Sequence, residues 1–202
     1  MIIGISGKIG SGKDTVGKYL KTKYNFKIET LALNVRKIVS ILTGIPLDIL
    51  LTREAKGIIV KYNNKELRVG ELFQIVGNGL RDSIHPDVWV NSLFANITGN
   101  VVITDVRYPN EVLEIEKQGG IVIRVEGDPQ NIRLNIKNGK SEDKRDLNAI
   151  SETALDNWQF KYKLENDTSL DELFKKVDDI IYHNQGIDSA GSGAVISDKL
   201  PG

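Results

Sequence analysis

Short apolar runs alternate along the chain with segments in which apolar residues recur every three or four positions. The continuous apolar runs at Ile2–Ile5 and Val101–Thr104 are typical of parallel strands that are covered on both faces. Three further strands are predicted at 26–30, 121–125 and 160–164. This alternation of strands and helices predicts an α/β fold around a parallel sheet, with ligands at the carboxyl ends of the strands.

The helical segments have recognisable starts. Ser169 and Glu172 form a capping box ahead of an apolar stripe that runs to Ile181. Pro86 stands at a favoured first-turn position of a helix predicted near 86–97. The remaining helices are predicted from Val16 to Tyr24, from Val35 to Leu42, near 70–82 and from Pro109 to Gly119.

Other segments lack a clear period. Residues 44–69 are polar and mixed, with a turn predicted at Asn63–Asn64. Residues 127–150 are charged and carry few core positions, which is typical of a mobile lid. From Asn184 onward, up to residue 202, the chain is rich in Gly, Ser and Asp, and we expect a disordered tail.

The composition excludes several kinds of chemistry. The 202 residues include no cysteine and two histidines, which excludes disulfides, thiol catalysis and His-rich or thiolate metal centres. Lys plus Arg and Asp plus Glu number 27 each, so no global field attracts a nucleic acid polymer or a membrane. The apolar start is too short for a signal peptide, and no run approaches a membrane span. We expect a cytoplasmic protein that holds small anions by local geometry.

The strongest motif lies between the first strand and the first helix. Residues 7–15, GKIGSGKDT, match G-x-x-x-x-G-K in the strand-to-helix context that the motif requires. Its glycines let N–H groups surround phosphate oxygens, and the helix N-terminus adds its dipole. We expect ATP phosphates here, and the alternative is a glycine-rich turn without a ligand. The predicted nucleotide-binding residues are Gly10, Ser11, Gly12, Lys13, Asp14 and Thr15, and the charge of Lys13 is predicted to be catalytic.

The residue after the lysine differs from the general pattern. A Ser or Thr there normally binds magnesium, whereas this chain has Asp14 followed by Thr15. Asp14 either holds Mg²⁺ through water or favours the helix N-terminus by its charge. The sequence leaves both alternatives open. Thr15 can offer its hydroxyl to the α phosphate.

The strand at 101–104 leads into a second informative stretch. Asp105 at its end can orient Mg²⁺ or its waters, as a Walker B aspartate does, or it can serve only as a helix cap. Arg107 is a fork donor suited to a phosphate. We predict Asp105 and Arg107 as catalytic residues, and Asp14 and Asp105 as Mg²⁺ ligands, directly or through water.

Four segments, in this order, resemble the deoxynucleoside monophosphate kinases of bacteriophages, some bacteria and large viruses. They are GKIGSGKDT, LFQIVGNGLRDSIHPDVWVNSL, VVITDVRYPNE and the Ser151–Glu152 pair of AISET. Asp14 after the lysine also resembles this family. The resemblance implies a P-loop nucleoside monophosphate kinase fold: a five-stranded parallel sheet wrapped by helices, with a substrate-binding insertion and a lid. It further implies one kinase domain at 1–183, an insertion at about 32–97, ATP and Mg²⁺ as cofactors, and nucleotides as substrates.

The same resemblance implies an acceptor site. The residues it suggests for holding the acceptor are Lys37, Arg53, Gln74 and Arg107, and less specifically Arg81, His85, Trp89, Ser151 and Glu152. The chain departs from the family at Asn34–Val35, where Asp-Pro is frequent, and at Ala149, where His is common. It also has Gly70 where Arg is frequent, for which Arg68 could substitute. These departures leave base specificity open.

Some of these residues have a purely structural alternative. Trp89 can belong to the core, since aromatic residues at helical spacing usually do. His85, directly before Pro86, can cap the following helix. Arg145 either closes on the transferring phosphate as a catalytic lid residue or is a solvated surface charge.

The expected activity is the ATP-dependent phosphorylation of a deoxynucleoside monophosphate to the diphosphate. One alternative is another small-molecule P-loop kinase, of the dephospho-coenzyme A or phosphomevalonate type. A second is a regulatory NTPase that binds ATP without an acceptor, and a third is an inactive binding module. The presence of Lys13, Asp105 and Arg107 argues against the third. A homodimer is a possible assembly.

Overall fold

The computed structural model describes residues 1–52, 54–141 and 146–185. The chain divides into two compact units, Met1–Glu29 with the chain from Gly99 onward, and Thr30–Thr98. The strands are β1 (Ile2–Ser6), β2 (Lys27–Glu29), β3 (Ile59–Tyr62), β4 (Lys65–Arg68), β5 (Val101–Val106), β6 (Ile121–Glu126) and β7 (Tyr162–Glu165). The helices are α1 (Lys13–Tyr24), α2 (Ala32–Thr43), α3 (Leu47–Leu50), α4 (Val69–Ser83), α5 (Val88–Phe94), α6 (Pro109–Lys117), α7 (Ile132–Lys137), α8 (Ile150–Thr153) and α9 (Leu170–Gln185).

A parallel sheet in the order β2-β5-β1-β6-β7 forms the centre of the first unit. β1 is the middle strand, and its Ile3 pairs with Val102 on one side and Ile121 on the other. The predicted α/β fold with a five-stranded parallel sheet is therefore confirmed. Because β1 is central, the loop that follows it is flanked by the carboxyl ends of β5 and β6.

The strands are continuous apolar runs because helices cover both faces of the sheet. Their side chains are buried with those of α1 and α9 in one core, which includes Ile3, Ile5, Val16, Leu20, Val102, Ile123, Leu173 and Val177. β5 continues two residues beyond its predicted end, so Asp105 lies inside the strand, between Thr104 and Val106. The core thus fixes the strand ends at which the sequence motifs lie.

One carboxylate fastens α1 to α9. Asp178 accepts hydrogen bonds from the hydroxyls of Tyr19, at 2.8 Å, and Tyr24, at 2.6 Å, and from the ammonium of Lys23, at 2.7 Å. Burial alone would raise the pKa of Asp178, but these three donors lower it. One of the two hydrogen bonds of the predicted capping box at the α9 N-terminus is present, from Glu172 N–H to the Ser169 hydroxyl at 3.3 Å.

The second unit is a helical unit with a two-stranded hairpin. Its core is formed by Val39, Leu50, Ala55, Val69 and Leu72. β3 and β4 pair antiparallel, which confirms the turn predicted at 63–64. Asn63 has φ 50°, and asparagine tolerates this left-handed conformation better than most residues. The short helix α3 and a 3₁₀ turn at 54–57 were not predicted, because segments this short carry no full period.

The segment predicted as a lid, residues 127–150, contains the short helix α7 and ends at the first residue of α8. None of the residues of α7 is buried, in agreement with the predicted scarcity of core positions. Residues 142–145, which include Arg145, and the tail from 186 lie outside the described residues, as does Arg53. α9 runs to Gln185, two residues beyond the predicted end of the domain. Within the described ranges no helix is long and apolar enough to span a bilayer.

Candidate active site

The loop between β1 and α1 requires glycine at two positions. Gly10 and Gly12 have φ values of 78° and 99°, in the region that side chains disfavour. A Cβ on Gly10 would lie 2.7 Å from Asp128 Oδ1, and one on Gly12 would overlap Asn166 Nδ2. The loop therefore has both the backbone shape and the close packing that the motif predicts.

Side chains from other segments hold the carbonyl groups of this loop. The guanidinium of Arg133 donates to Ile9 O at 2.9 Å and to Gly127 O at 2.6 Å. The buried Asn166 donates its amide to Ser11 O at 2.9 Å. Two carbonyl oxygens of the loop, those of Ile9 and Ser11, are therefore occupied by side-chain donors from other segments.

The N–H groups at the start of α1 remain available. Those of Gly12, Lys13, Asp14 and Thr15 donate to no acceptor within residues 1–52, 54–141 and 146–185. The hydroxyl of Ser11 is buried and also has no partner among the described residues. Unpaired N–H groups at a helix N-terminus, together with the helix dipole, form an anion-binding site.

Lys13 lies within this loop. Its ammonium donates to Gly7 O at 2.6 Å and to Lys8 O at 2.8 Å. Burial, followed by the positive charge of Arg107, lowers the pKa of Lys13 to about 8. The nearness of Glu152 acts in the opposite direction. An incoming phosphate would supply the negative charge that this ammonium lacks.

Arg107 follows β5 and is fixed at its backbone. Its N–H donates to Glu111 Oε2 at 2.7 Å, and the N–H of Tyr108 donates to the same oxygen at 3.1 Å. Glu111 is only 3% exposed, in the first turn of α6. Glu111 therefore holds the backbone of Arg107 and not its guanidinium, which has other partners.

The guanidinium of Arg107 contacts α8. Its Nη1 pairs with Glu152 Oε1 and donates to Ser151 O at 3.2 Å. The second oxygen of Glu152 accepts the N–H of Ile9, in the loop, at 2.9 Å. The structure thus brings together four residues predicted from separate segments: Lys13, Arg107, Ser151 and Glu152.

Other predicted residues lie in the second unit. Lys37 and Gln74 are exposed on α2 and α4, and Arg81 is half-buried near the end of α4. His85 Nδ1 accepts the N–H of Asp87 at 3.1 Å, just before α5, and this helix has no side-chain cap hydrogen bond among the described residues. The roles of Lys37, Gln74 and Arg81 in binding an acceptor stay predictions.

Trp89 occupies a core position. It is 5% exposed, and its indole N–H donates to Gly77 O at 2.8 Å. A buried indole whose N–H is already bonded has no face available for a base. This placement favours the packing interpretation of Trp89 over its prediction as a substrate-binding residue.

Several residues around the loop were not predicted. Arg124 is 7% exposed, and its guanidinium lies 5.6 Å from the ring of Phe160. It also approaches Asp156 at 3.4 Å, and Asp156 pairs with Lys8 at 2.7 Å. A cavity of about 190 Å³ beside the loop is lined by Lys8, Arg124 and Arg133, among others. Arg124 lies near the carboxyl end of β6, and Asn166 directly follows β7. Their positions at strand ends are the sequence feature by which they could have been predicted.

The acidic residues fit a magnesium ion that arrives with a nucleotide. The described residues contain no group of three or more His, Asp or Glu that could hold a metal by itself. Mg²⁺ at phosphate sites is usually bound by one or two carboxylates together with substrate phosphates and water. Asp14, exposed in the first turn of α1, and Asp105, half-buried on β5, suit this type of binding.

Comparison with known proteins defines the class of fold. The central parallel sheet and the glycine-rich loop from β1 to α1 form the P-loop kinase fold, of the nucleoside monophosphate kinase type. No protein-family model matches the chain, and no curated protein matches it.

Solved structures that are similar to this chain include three small-molecule kinases. Shikimate kinase from Acinetobacter baumannii, in complex with shikimate, has a TM-score of 0.50 and 16% identity, over 91% of this chain and 94% of that one. Dephospho-CoA kinase from Campylobacter jejuni has a TM-score of 0.47 and 16% identity, over 91% and 96%. Mycobacterium tuberculosis APS kinase, in complex with AMPPNP and APS, has 0.45 and 14%, over 89% and 96%. The similarity to the shikimate kinase, at 16% identity, concerns the fold and says nothing about the substrate.

Proposed function

We propose that this chain is an ATP-dependent kinase that phosphorylates a deoxynucleoside monophosphate to the diphosphate. The observation that carries the proposal is the nearness of two cations with different surroundings. Lys13 lies in the phosphate loop, and Arg107 lies close enough for its charge to lower the pKa of Lys13. Two such cations suit two phosphate groups, one from a donor and one from an acceptor.

On the donor side, the loop binds the phosphates of ATP. The N–H groups of Gly12, Lys13, Asp14 and Thr15 have no protein acceptor among the described residues and can donate to phosphate oxygens. The ammonium of Lys13 has to exchange the carbonyls of Gly7 and Lys8 for the β and γ phosphates. Mg²⁺, held by Asp14 and Asp105 directly or through water molecules, would neutralise charge on the same phosphates.

On the acceptor side, Arg107 binds the monophosphate. Its Nε and Nη2 find no acceptor in the described part of the chain, so this edge of the guanidinium is available. Such an edge donates two parallel hydrogen bonds to a phosphate. That the acceptor is a deoxynucleoside rests on the resemblance of the TDVRYPNE stretch and of the second-unit segments.

The transfer needs no covalent intermediate on the protein. An oxygen of the acceptor's monophosphate forms a bond to the γ phosphorus, the bond from that phosphorus to the β-γ bridging oxygen breaks, and ADP leaves with the electron pair. The chain contributes positioning through Arg107 and the loop, and charge stabilisation through Lys13. Both contributions act on groups that the first unit holds in place.

The reaction class is tested by coupled ADP release with ATP and Mg²⁺. The acceptor panel contains dGMP, dTMP, dCMP, dAMP, hydroxymethyl-dCMP and the ribonucleotides, with dephospho-coenzyme A, phosphomevalonate and shikimate as competing substrates. We expect slow ADP release with ATP alone and much faster release with at least one deoxynucleoside monophosphate. The reason is that kinases close over their bound substrates and exclude water as the acceptor.

Two other outcomes would redirect the proposal. If only dephospho-coenzyme A, phosphomevalonate or shikimate accelerates ADP release, the chain is a kinase, but its acceptor is not a deoxynucleoside monophosphate. Equal release with and without every acceptor would favour a regulatory NTPase, the alternative that binds ATP without an acceptor.

A further inference from the structure

The carboxylate of Glu152 uses each of its oxygens for a different part of the site. Oε1 pairs with Arg107, and Oε2 accepts the N–H of Ile9 at 2.9 Å. The side chain is only 11% exposed. One enclosed carboxylate therefore joins the arginine after β5 to the backbone of the phosphate loop.

Arg107 is held at one nitrogen only. Glu152 and the carbonyl of Ser151 both bind Nη1, whereas Nε and Nη2 have no acceptor within the described ranges. The guanidinium side chain is 34% exposed. A planar guanidinium that is fixed at one corner still presents a two-nitrogen edge, which is the geometry that binds a phosphate through two parallel bonds.

The charge of Glu152 is retained in this enclosed position. Burial would raise the pKa of its carboxyl, but the hydrogen bond and charge of Arg107, the Ile9 N–H and the charge of Lys13 together lower it. Glu152 is therefore ionised at neutral pH. An ionised carboxylate with both oxygens occupied is a poor ligand for a phosphorylated substrate, because the two anions would repel each other.

We propose that Glu152 is a positioning residue that ties the guanidinium of Arg107 to the phosphate loop at Ile9. The tie sets the distance between the acceptor's phosphate, on Arg107, and the donor's phosphates, on the loop. This inference rests on the proposed function for its kinetic consequences. It differs from the resemblance, which suggests Glu152 as a substrate-binding residue.

The first test is Glu152→Gln. The variant has nearly the same shape, but its single amide oxygen cannot accept from both Ile9 and Arg107, and its NH₂ group faces a donor. We expect the acceptor KM to rise about tenfold and kcat to fall, while the Kd of ATP stays within about twofold. Asp178→Asn is the matched control, since Asp178 is also a partly buried carboxylate with several donors but lies on α9, against the C-terminal end of α1. It should change neither constant.

A double variant shows whether Glu152 acts through Arg107. In an Arg107→Ala background, Glu152→Gln should cause no further rise in acceptor KM, because the group that it positions is gone. An equal rise in both backgrounds would mean that Glu152 contacts the acceptor by itself. A fall in acceptor KM or in the Kd of ATP would mean that Glu152 only occupies a phosphate position until substrate displaces it. Either result overturns the inference.

A measurement on the free protein separates this inference from the proposed function. Glu152→Ala removes both acceptor oxygens, so hydrogen exchange at the Ile9 amide should be about tenfold faster in this variant than in the wild type, and unchanged in Asp178→Ala. Unchanged exchange in Glu152→Ala would show that the tie is not made in solution, and would overturn the inference whatever the substrate. If exchange rises while no acceptor stimulates ADP release, the tie stands and the proposed reaction fails.

Discussion

The two compact units differ in how they hold the residues that the sequence singled out. In the first unit, Lys13, Arg107 and Glu152 come from three distant segments and form one connected network around the loop. In the second unit, Lys37 and Gln74 are exposed and Trp89 belongs to the core. A phosphate loop depends on backbone shape, which a short motif specifies. An acceptor pocket depends on packing, which family resemblance specifies less well.

The largest effect is expected for Lys13→Ala. This variant removes the charge that approaches the transferring phosphoryl group, so kcat should fall by about a hundredfold or more. Turnover with the best acceptor of the panel measures it, and a thermal melt should show only a small change. Near-normal kcat would mean that the phosphate loop of the first unit is not catalytic. The sequence motifs would then have identified functional residues no better in the first unit than in the second.

A smaller effect is expected for Arg107→Lys. The variant keeps the positive charge but loses the planar fork, so the acceptor KM should rise about tenfold, or about 1.4 kcal/mol. Calorimetry with ATP alone should give an unchanged Kd. Weaker ATP binding at an unchanged acceptor KM would move Arg107 to the donor side.

ATP binding should weaken above neutral pH. The ammonium of Lys13 loses its proton as the pH rises through about 8, and the protonated form is the one that attracts phosphate. The Kd of ATP should therefore rise about tenfold between pH 7.5 and 9, a range in which the phosphates themselves are already ionised. Lys13→Ala should have a flat profile over this range. If the Kd of ATP for the wild type also stays constant over this range, loss of the Lys13 proton does not control ATP binding.

The smallest effect, and the test of the second unit, is Trp89→Phe. The variant loses the hydrogen bond to Gly77 O and should lower the free energy of unfolding by about 1 kcal/mol. Denaturant unfolding measures this loss, and the acceptor KM should stay within about twofold. A tenfold rise in acceptor KM at unchanged stability would mean that Trp89 contacts the acceptor. The second unit would then, like the first, contribute a residue singled out from the sequence to the site.

The sequence predicts the sheet, the loop and the cations at strand ends, because each depends on local pattern. Apolar runs define the strands, and the loop needs glycines near Lys13. The residues that support the loop were missed for a physical reason. Arg133 and Asn166 reach Ile9 and Ser11 only after β6 has paired with β1 and β7 with β6. Asn166 follows a strand end, but its contact with the loop depends on this long-range pairing, and Arg133 lies on a short helix that carries no strand-end signal.

The carbonyl groups tied by Arg133, Asn166 and Lys13 also affect how fast a nucleotide can bind. Ordering a flexible loop costs about 1–2 kcal/mol per residue, and here that cost falls on folding because side chains fix the loop in the free protein. Association should then be a single kinetic phase of about 10⁵–10⁷ M⁻¹s⁻¹, limited by encounter and orientation rather than by loop rearrangement. Nucleotides of different affinity would accordingly differ in residence time, and hardly at all in the rate at which they arrive.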